Sequence, residues 1–361
     1  MPRFTVNELS QYPPCPLRII FAPPNDPDAG TVPDILALYR LYSLPGAFVS
    51  ESLRDVAISF GTTNVDEGPR YTWFHFLYKS LPITDMNGVK RIKNQIQARR
   101  KGDQPEDFGW VHSAYCLIEN GSSEVTLIIF NSEPLLYERF RTISEHTPYE
   151  ETMKDPYCLL NVVFEILYER IDMLTWTIAN VFTQEEMKIL HMARDPELNG
   201  GDVDLPEIHM IQRHQIYLRE AIESITVTLD ATIDHQQRLN EGSTSISPSH
   251  NATQAGLRYR KVLIKSTDLR LRSMGKRTQN TINMAFNLVT QADSRVIKED
   301  SGSMKKTAIL TMIFLSCTAV AYTIKNGERP RKTNEKGFMG SDAQVEAFSE
   351  ASFKFIDDKY K

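Results

Sequence analysis

The chain has 361 residues, 41% of them apolar, and a formal net charge of −5. That length is room for one large or two medium domains, and the mild acidity gives no general case for nucleic acid or for an anionic lipid surface. Four cysteines, Cys15, Cys116, Cys158 and Cys317, lie far apart and form neither a metal nor a redox pair, which points to a reducing compartment.

Residues 1–34 carry Pro13, Pro14, Pro16, Pro23, Pro24 and Pro27 and are expected to be extended or irregular, with a short strand over 17–21. No signal peptide is expected, because the first apolar run is short and ringed by prolines. Residues 35–150 read as an α/β domain with strands over 56–60, 71–77, 112–118 and 125–130. The turn chemistry of Asn120-Gly121 joins 112–118 and 123–130 as a hairpin. Between the runs 71–77 and 112–118, residues 88–106 are basic (Lys90, Arg91, Lys93, Arg99, Arg100, Lys101) and read as a solvated helix or loop. No aromatic platform is interleaved with them, so no nucleic-acid partner is expected. His75, inside Trp73-Phe74-His75-Phe76, reads as a packed or edge histidine. No nucleophile elbow, phosphate loop, dinucleotide fingerprint or zincin helix is present, so neither an enzyme nor a cofactor is expected.

Residues 151–255 form a long-helix region. Leu160, Val163, Leu167, Leu174, Ile178 and Val181 define one apolar stripe, and Leu218, Ile222, Ile225, Leu229 and Ile233 a second. The second helix also carries Glu220, Glu223, Asp230 and Asp234, either a solvated face or a cation-attracting surface beside a pore. A Gly/Ser/Pro segment over 241–255 reads as a link. The stalk helix, 256–306, opens with Leu257, Val262, Leu269 and Met274. It continues with Ile282, Ala285, Val289, Ala292 and Val296, which step by 3 and 4 like a coiled-coil seam facing copies of itself. Residues 307–324 carry no charge and as a helix span about 27 Å, close to a bilayer's hydrocarbon core. A buried core helix is the competing reading. A polar tail, 325–361, follows.

The chain resembles the fungal branch of the CorA-like magnesium transporter superfamily. The likeness rests on residues 70–77, 125–130 and Lys154-Asp155-Pro156-Tyr157, and most strongly on 280–321, including Asn283-Met284-Ala285-Phe286-Asn287 and Ser303-Met304-Lys305-Lys306-Thr307. It implies an α+β fold: a cytosolic mixed α/β domain, long helices, a coiled-coil-like stalk and a membrane helix. It also implies a homo-oligomer of five copies in a lipid bilayer, with magnesium as the transported ion. In such a pentamer Thr307, Thr311 and Thr318 would supply hydroxyl rings on a stripe with Met304 and Leu315, and Asp293 and Asp300 would supply carboxylate rings. Hydroxyls bonded back to their own helix, and ordinary surface charge, are the competing readings. Three features depart from the family, the first being that its short proline-containing turn inside the first membrane helix reads Leu315-Ser316-Cys317-Thr318 here. Lys325-Asn326-Gly327 stands where Gly-Met-Asn is expected, and 325–361 holds no second membrane-length run. Charge does not orient the span, since Arg295, Lys298, Lys305 and Lys306 on one side face five basic residues on the other. Two functions follow: a divalent-cation transporter homologue, truncated or non-conducting, or a single-span scaffold oligomerising through its stalk.

Overall fold

The computed structural model describes residues 5–327 except 12, 14, 24–31, 53, 55, 66–67, 82, 87–88, 93–108, 122–123, 147, 195–203 and 242–246. The chain divides into two compact units, residues 1–291 and 292–361. The fold is α+β: a mixed sheet followed by long helices, the last of them apolar toward its end.

A five-stranded sheet organises the first unit, in the order β1 (Leu17–Ala22), β7 (Glu124–Phe130), β6 (Trp110–Asn120), β3 (Arg70–Lys79), β2 (Ile58–Asn64). Strand β1 pairs parallel to β7, and the other pairings are antiparallel. Alternation along each strand feeds two cores. Phe74, Phe76, Tyr115, Leu117, Leu127 and Ile129 face one, while Trp73, Cys116, Ile128 and Phe130 face the other. Because both faces are covered, the strands read as continuous apolar runs rather than alternating ones. The expected hairpin is present, with Gly121 at φ +61° in its turn, where a side chain would be strained.

The second face is covered by α2 (Val32–Leu41) and α3 (Gly46–Ser52), through Leu38 and Phe48. The first face is covered by α6 (Tyr157–Arg194), which follows α4 (Pro134–His146) and α5 (Tyr149–Lys154). Phe164 of α6 stacks on Phe74 with ring centroids 5.0 Å apart, and Phe74 stacks on Tyr115 at 4.8 Å, so one aromatic pile ties helix to sheet. Helix α7 (Leu205–Asn240) starts at an N-cap, Asp204, whose carboxylate accepts from the Glu207 amide at 3.1 Å. Both predicted helical stripes are buried throughout. A short polar chain also clamps α6 and α7 to the sheet: the Tyr157 hydroxyl lies 3.0 Å from Thr72 Oγ1 and 2.6 Å from His235 Nδ1.

Helix α8 (Pro248–Gly327) is the longest element. Within the first unit eight of its buried residues, Leu257, Ile264, Thr267, Leu271, Met274, Thr278, Thr281 and Ala285, recur at coiled-coil steps. Polar contacts fix the register. Asp172 Oδ1 accepts from Thr267 at 2.7 Å and from Arg270 at 2.8 Å, and Gln215 donates to Thr278 at 2.8 Å.

Four expectations need correction. The N-terminal stretch is not wholly irregular: Thr5 and Glu8 exchange hydrogen bonds in a capping box that opens α1 (Val6–Gln11). In the basic stretch 88–106, Val89–Ile92 forms strand β5 against β4 (Ile83–Met86), and Ile92 is buried; 93–106 lies outside the described residues. The link over 241–255 is shorter than expected, because Pro248 starts α8; proline suits a first helical turn, where its missing N–H has no partner to lose. The seam is also divided. Ile282 and Ala285 are buried against Ile189 and Ile208 of the same chain, whereas Ala292 and Val296 are exposed, as are Val262 and Leu269. Periodicity reports that a face is covered, not which helix covers it.

Candidate functional site

The second unit is described from Ala292 to Gly327, all of it within α8. This helix contains an 18-residue window of mean hydropathy 1.4, none of it buried, which is long and apolar enough to cross a membrane by length and composition. At 100° per residue, Asp293, Asp300, Met304, Thr307, Thr311, Leu315 and Thr318 fall within about 80° of arc. The helix thus gathers all seven candidate residues on one stripe, and each is exposed. By the same arithmetic Arg295, Lys298, Lys305 and Lys306 lie at least about 100° from the stripe's middle. Nothing basic shares the stripe between Asp293 and Thr318.

The hydroxyls are not free rotors. Thr307 donates to the Ser303 carbonyl at 3.1 Å, Thr311 to Thr307 at 2.8 Å, and Thr318 to Phe314 at 2.9 Å. Ser316, off the stripe, donates to Met312 at 2.8 Å. Each hydroxyl proton is therefore held inside the helix, while the oxygen lone pairs are left facing outward. Such a stripe can accept hydrogen bonds or ligate a hard cation, but it has no proton to offer an anion. Back-bonding and a ligand role are thus compatible.

Of the acidic residues on α7, Asp230 is paired with Lys261, while Glu220, Glu223 and Asp234 are exposed. His75 is fully buried: it stacks on Phe48 with centroids 4.9 Å apart, and its Nδ1 lies 3.1 Å from His112 Nε2. Burial, and then the neighbouring His112, hold its pKa down at about 3, so the ring is neutral at physiological pH. Among the described residues no group of three or more His, Cys, Asp or Glu could hold a metal ion. What the residue-type reading missed is the segregation of basic side chains away from the stripe. That signal is available from helical arithmetic alone.

No family model matches the sequence, and no curated protein matches it. Solved structures similar to it include the full-length CmaX protein, 12% identical over 94% of this chain and 87% of that one, with a TM-score of 0.47. The cytoplasmic domain of ZntB from Vibrio parahaemolyticus is 15% identical over 70% of this chain and 84% of that one, with a TM-score of 0.38. The complete CorA magnesium transporter from Methanocaldococcus jannaschii is 9% identical over 88% of this chain and 80% of that one, with a TM-score of 0.39. Likenesses of this size assign no activity to the chain.

Proposed function

We propose that the chain is a CorA-like homologue of divalent-cation transporters, of the magnesium class, that enters a lipid bilayer through residues 307–324 and conducts weakly. The large first unit lies on the cytosolic side, and copies of the chain, five by resemblance, meet around the stripe of α8. The observation that carries this reading is the stripe itself: two carboxylates and three outward-facing hydroxyl oxygens, with every basic residue between Asp293 and Thr318 turned away. A hydrated divalent cation prefers oxygen ligands and sheds water reluctantly, so carboxylates that collect it below and neutral oxygens that accompany it across suit its chemistry.

Weak conduction follows from Lys325, which directly follows the uncharged run. Several copies would gather ammonium groups at that end of the path. Each repels a charge at 4 Å by about 1 kcal/mol per unit charge even in water. The test is magnesium influx into liposomes carrying the full chain, read by an internal dye. Influx close to that of empty vesicles, rising with Lys325→Ser and falling again when Thr311→Val is added, is expected. Strong influx in the unsubstituted protein would sink the weak-conduction claim. The back-bonded hydroxyls also suit a second reading, a single-span scaffold that oligomerises through its stalk. An absence of influx both in the unsubstituted protein and in the Lys325→Ser variant would favour it.

A further inference from the structure

The charges in the second unit's part of α8 are sorted by side as well as by type. Counted at about 100° per residue from Asp293, the basic residues Arg295, Lys298, Lys305 and Lys306 fall between about 120° and 220°. All four are exposed. By the same count Asp293, Glu299 and Asp300 fall outside that arc, as do Thr307, Thr311 and Thr318. The overall charge of −5 makes no case for an anionic surface, yet this segment holds one face whose only charges are basic. Gly302 sits at about 180°, in the middle of that face. Lys298 lies one turn before it and Lys305 and Lys306 one turn after, the spacings at which helix side chains are neighbours. A Cβ built on Gly302 meets nothing within 4 Å. Glycine inside a helix is destabilising relative to alanine, and here no packing contact requires it. Three lysines therefore surround a patch of bare backbone.

Height along the helix narrows what the face can hold. At about 1.5 Å per residue, Lys306 and Lys305 lie about 1.5 and 3 Å from Thr307, where the uncharged run begins. Gly302 lies about 8 Å from it and Lys298 about 14 Å. The headgroup layer on each side of a bilayer is about 5–8 Å thick. Lys305 and Lys306 thus fall at the depth of a lipid phosphodiester, whereas Gly302 and Lys298 lie at or beyond the layer's outer edge. A headgroup whose one phosphate is esterified to the glycerol engages the first pair alone. A headgroup with further phosphates on its distal side reaches the bare patch and the lysine beyond it, and ammonium groups bind phosphate as point charges.

We propose that this face of α8 binds the headgroup of a phospholipid carrying several phosphates, of the phosphoinositide class. Lys305 and Lys306 meet its phosphodiester, and Lys298, backed by Arg295, meets the phosphates beyond. This rests on the reading in which residues 307–324 enter a bilayer. It is tested on the full chain in phosphatidylcholine liposomes containing either phosphatidylinositol bisphosphate or phosphatidylserine at equal total charge. Lipid retained by the protein after extraction in mild detergent is counted by mass spectrometry. Enrichment of the bisphosphate over phosphatidylserine by about tenfold or more is expected from the added basic contacts. The combined change Lys298→Gln, Lys305→Gln and Lys306→Gln should abolish it. Gly302→Leu keeps every charge but fills the patch and should remove most of the enrichment, while Gly302→Ala should retain it. Each variant should still insert into liposomes of phosphatidylcholine alone, resisting carbonate as the unsubstituted chain does. Insertion without enrichment overturns the proposal and leaves the membrane reading standing, whereas an unsubstituted chain that fails to insert overturns both. Enrichment unchanged in the triple variant or in Gly302→Leu overturns the proposal, as does displacement of the lipid by an equal concentration of soluble inositol trisphosphate.

Discussion

Replacing Gly61 by alanine would place a methyl carbon 2.2 Å from Cε2 and Cζ2 of the Trp73 indole. Carbon atoms rest about 3.5–4.0 Å apart, so the ring must withdraw by roughly 1.3–1.8 Å. It has nowhere easy to go. Trp73 is buried directly across the β2–β3 pair from Gly61, and its indole N–H donates to Glu51 Oε2 at 3.0 Å. Overpacking of this kind costs about 1–3 kcal/mol. Loss of the indole bond adds about 1 kcal/mol, and the stiffer unfolded chain returns about 0.4–1 kcal/mol. The net is a destabilisation of about 1–3.5 kcal/mol. With an unfolding entropy of about 2.1 cal/mol/K per residue over the first unit, the midpoint should fall by roughly 2–6 °C. Urea unfolding followed by circular dichroism would measure it, in parallel with the same change in a Trp73→Leu background. There the alanine has room and should cost no more than about 0.5 kcal/mol. Equal cost in both backgrounds would show that the indole is not what the glycine accommodates.

Deleting 307–324 should move the protein from the carbonate-resistant membrane pellet to the soluble fraction; a full-length protein already extracted by carbonate would contradict membrane insertion. Ala285→Asp, at a position buried between Ile189 and Ile208, should unfold that end of the first unit, because an unpaired buried charge costs several kcal/mol. Val296→Asp, 57% exposed, should leave unfolding within about 0.5 kcal/mol yet dissociate copies of the chain in light scattering. A wild-type monomer at micromolar concentration would refute self-association. Burial, then Arg213 and Lys79, lower the pKa of His214 to about 4. Its native form stays neutral while the unfolded chain takes up a proton below about 6.5, so its contribution is complete above that pH. As pH falls from about 6.5 toward 4 it is lost, at up to about 1.4 kcal/mol per unit. His214→Gln should flatten that slope between pH 6 and 5 in urea titrations, and an unchanged slope would assign the acid sensitivity elsewhere.

Local signals carried much of the fold. The hairpin was legible because Asn120-Gly121 separates two runs rich in β-branched and aromatic residues, and the stripes of α6 and α7 because a 3.6-residue period can be counted. The capping box of Thr5 and Glu8 was equally local but hidden among prolines. The parallel pairing of β1 with β7 has no signature in either strand. Nor does the partner of Ile282 and Ala285, since a coiled-coil period looks the same whether a neighbouring helix or another copy covers it. The candidate stripe was half read: the residue types were visible at once, while their separation from the basic side chains needed the helical angles to be counted.

The parallel pairing of β1 with β7 also sets a timetable. Leu17 lies opposite Val125, so the ribosome finishes β1 about a hundred residues before its partner. At about 5–20 residues per second, that is a wait of roughly 5–20 s. The β6–β7 hairpin can then form within microseconds of release, and β1 closes the sheet from its edge. Until then Leu17, Ile19, Ile20 and Phe21 have no strand to join, and β7 offers an unpaired edge to any other extended chain. Slow elongation through residues 23–124 therefore lengthens exposure of this segment, making early synthesis the period in which the chain most needs a chaperone.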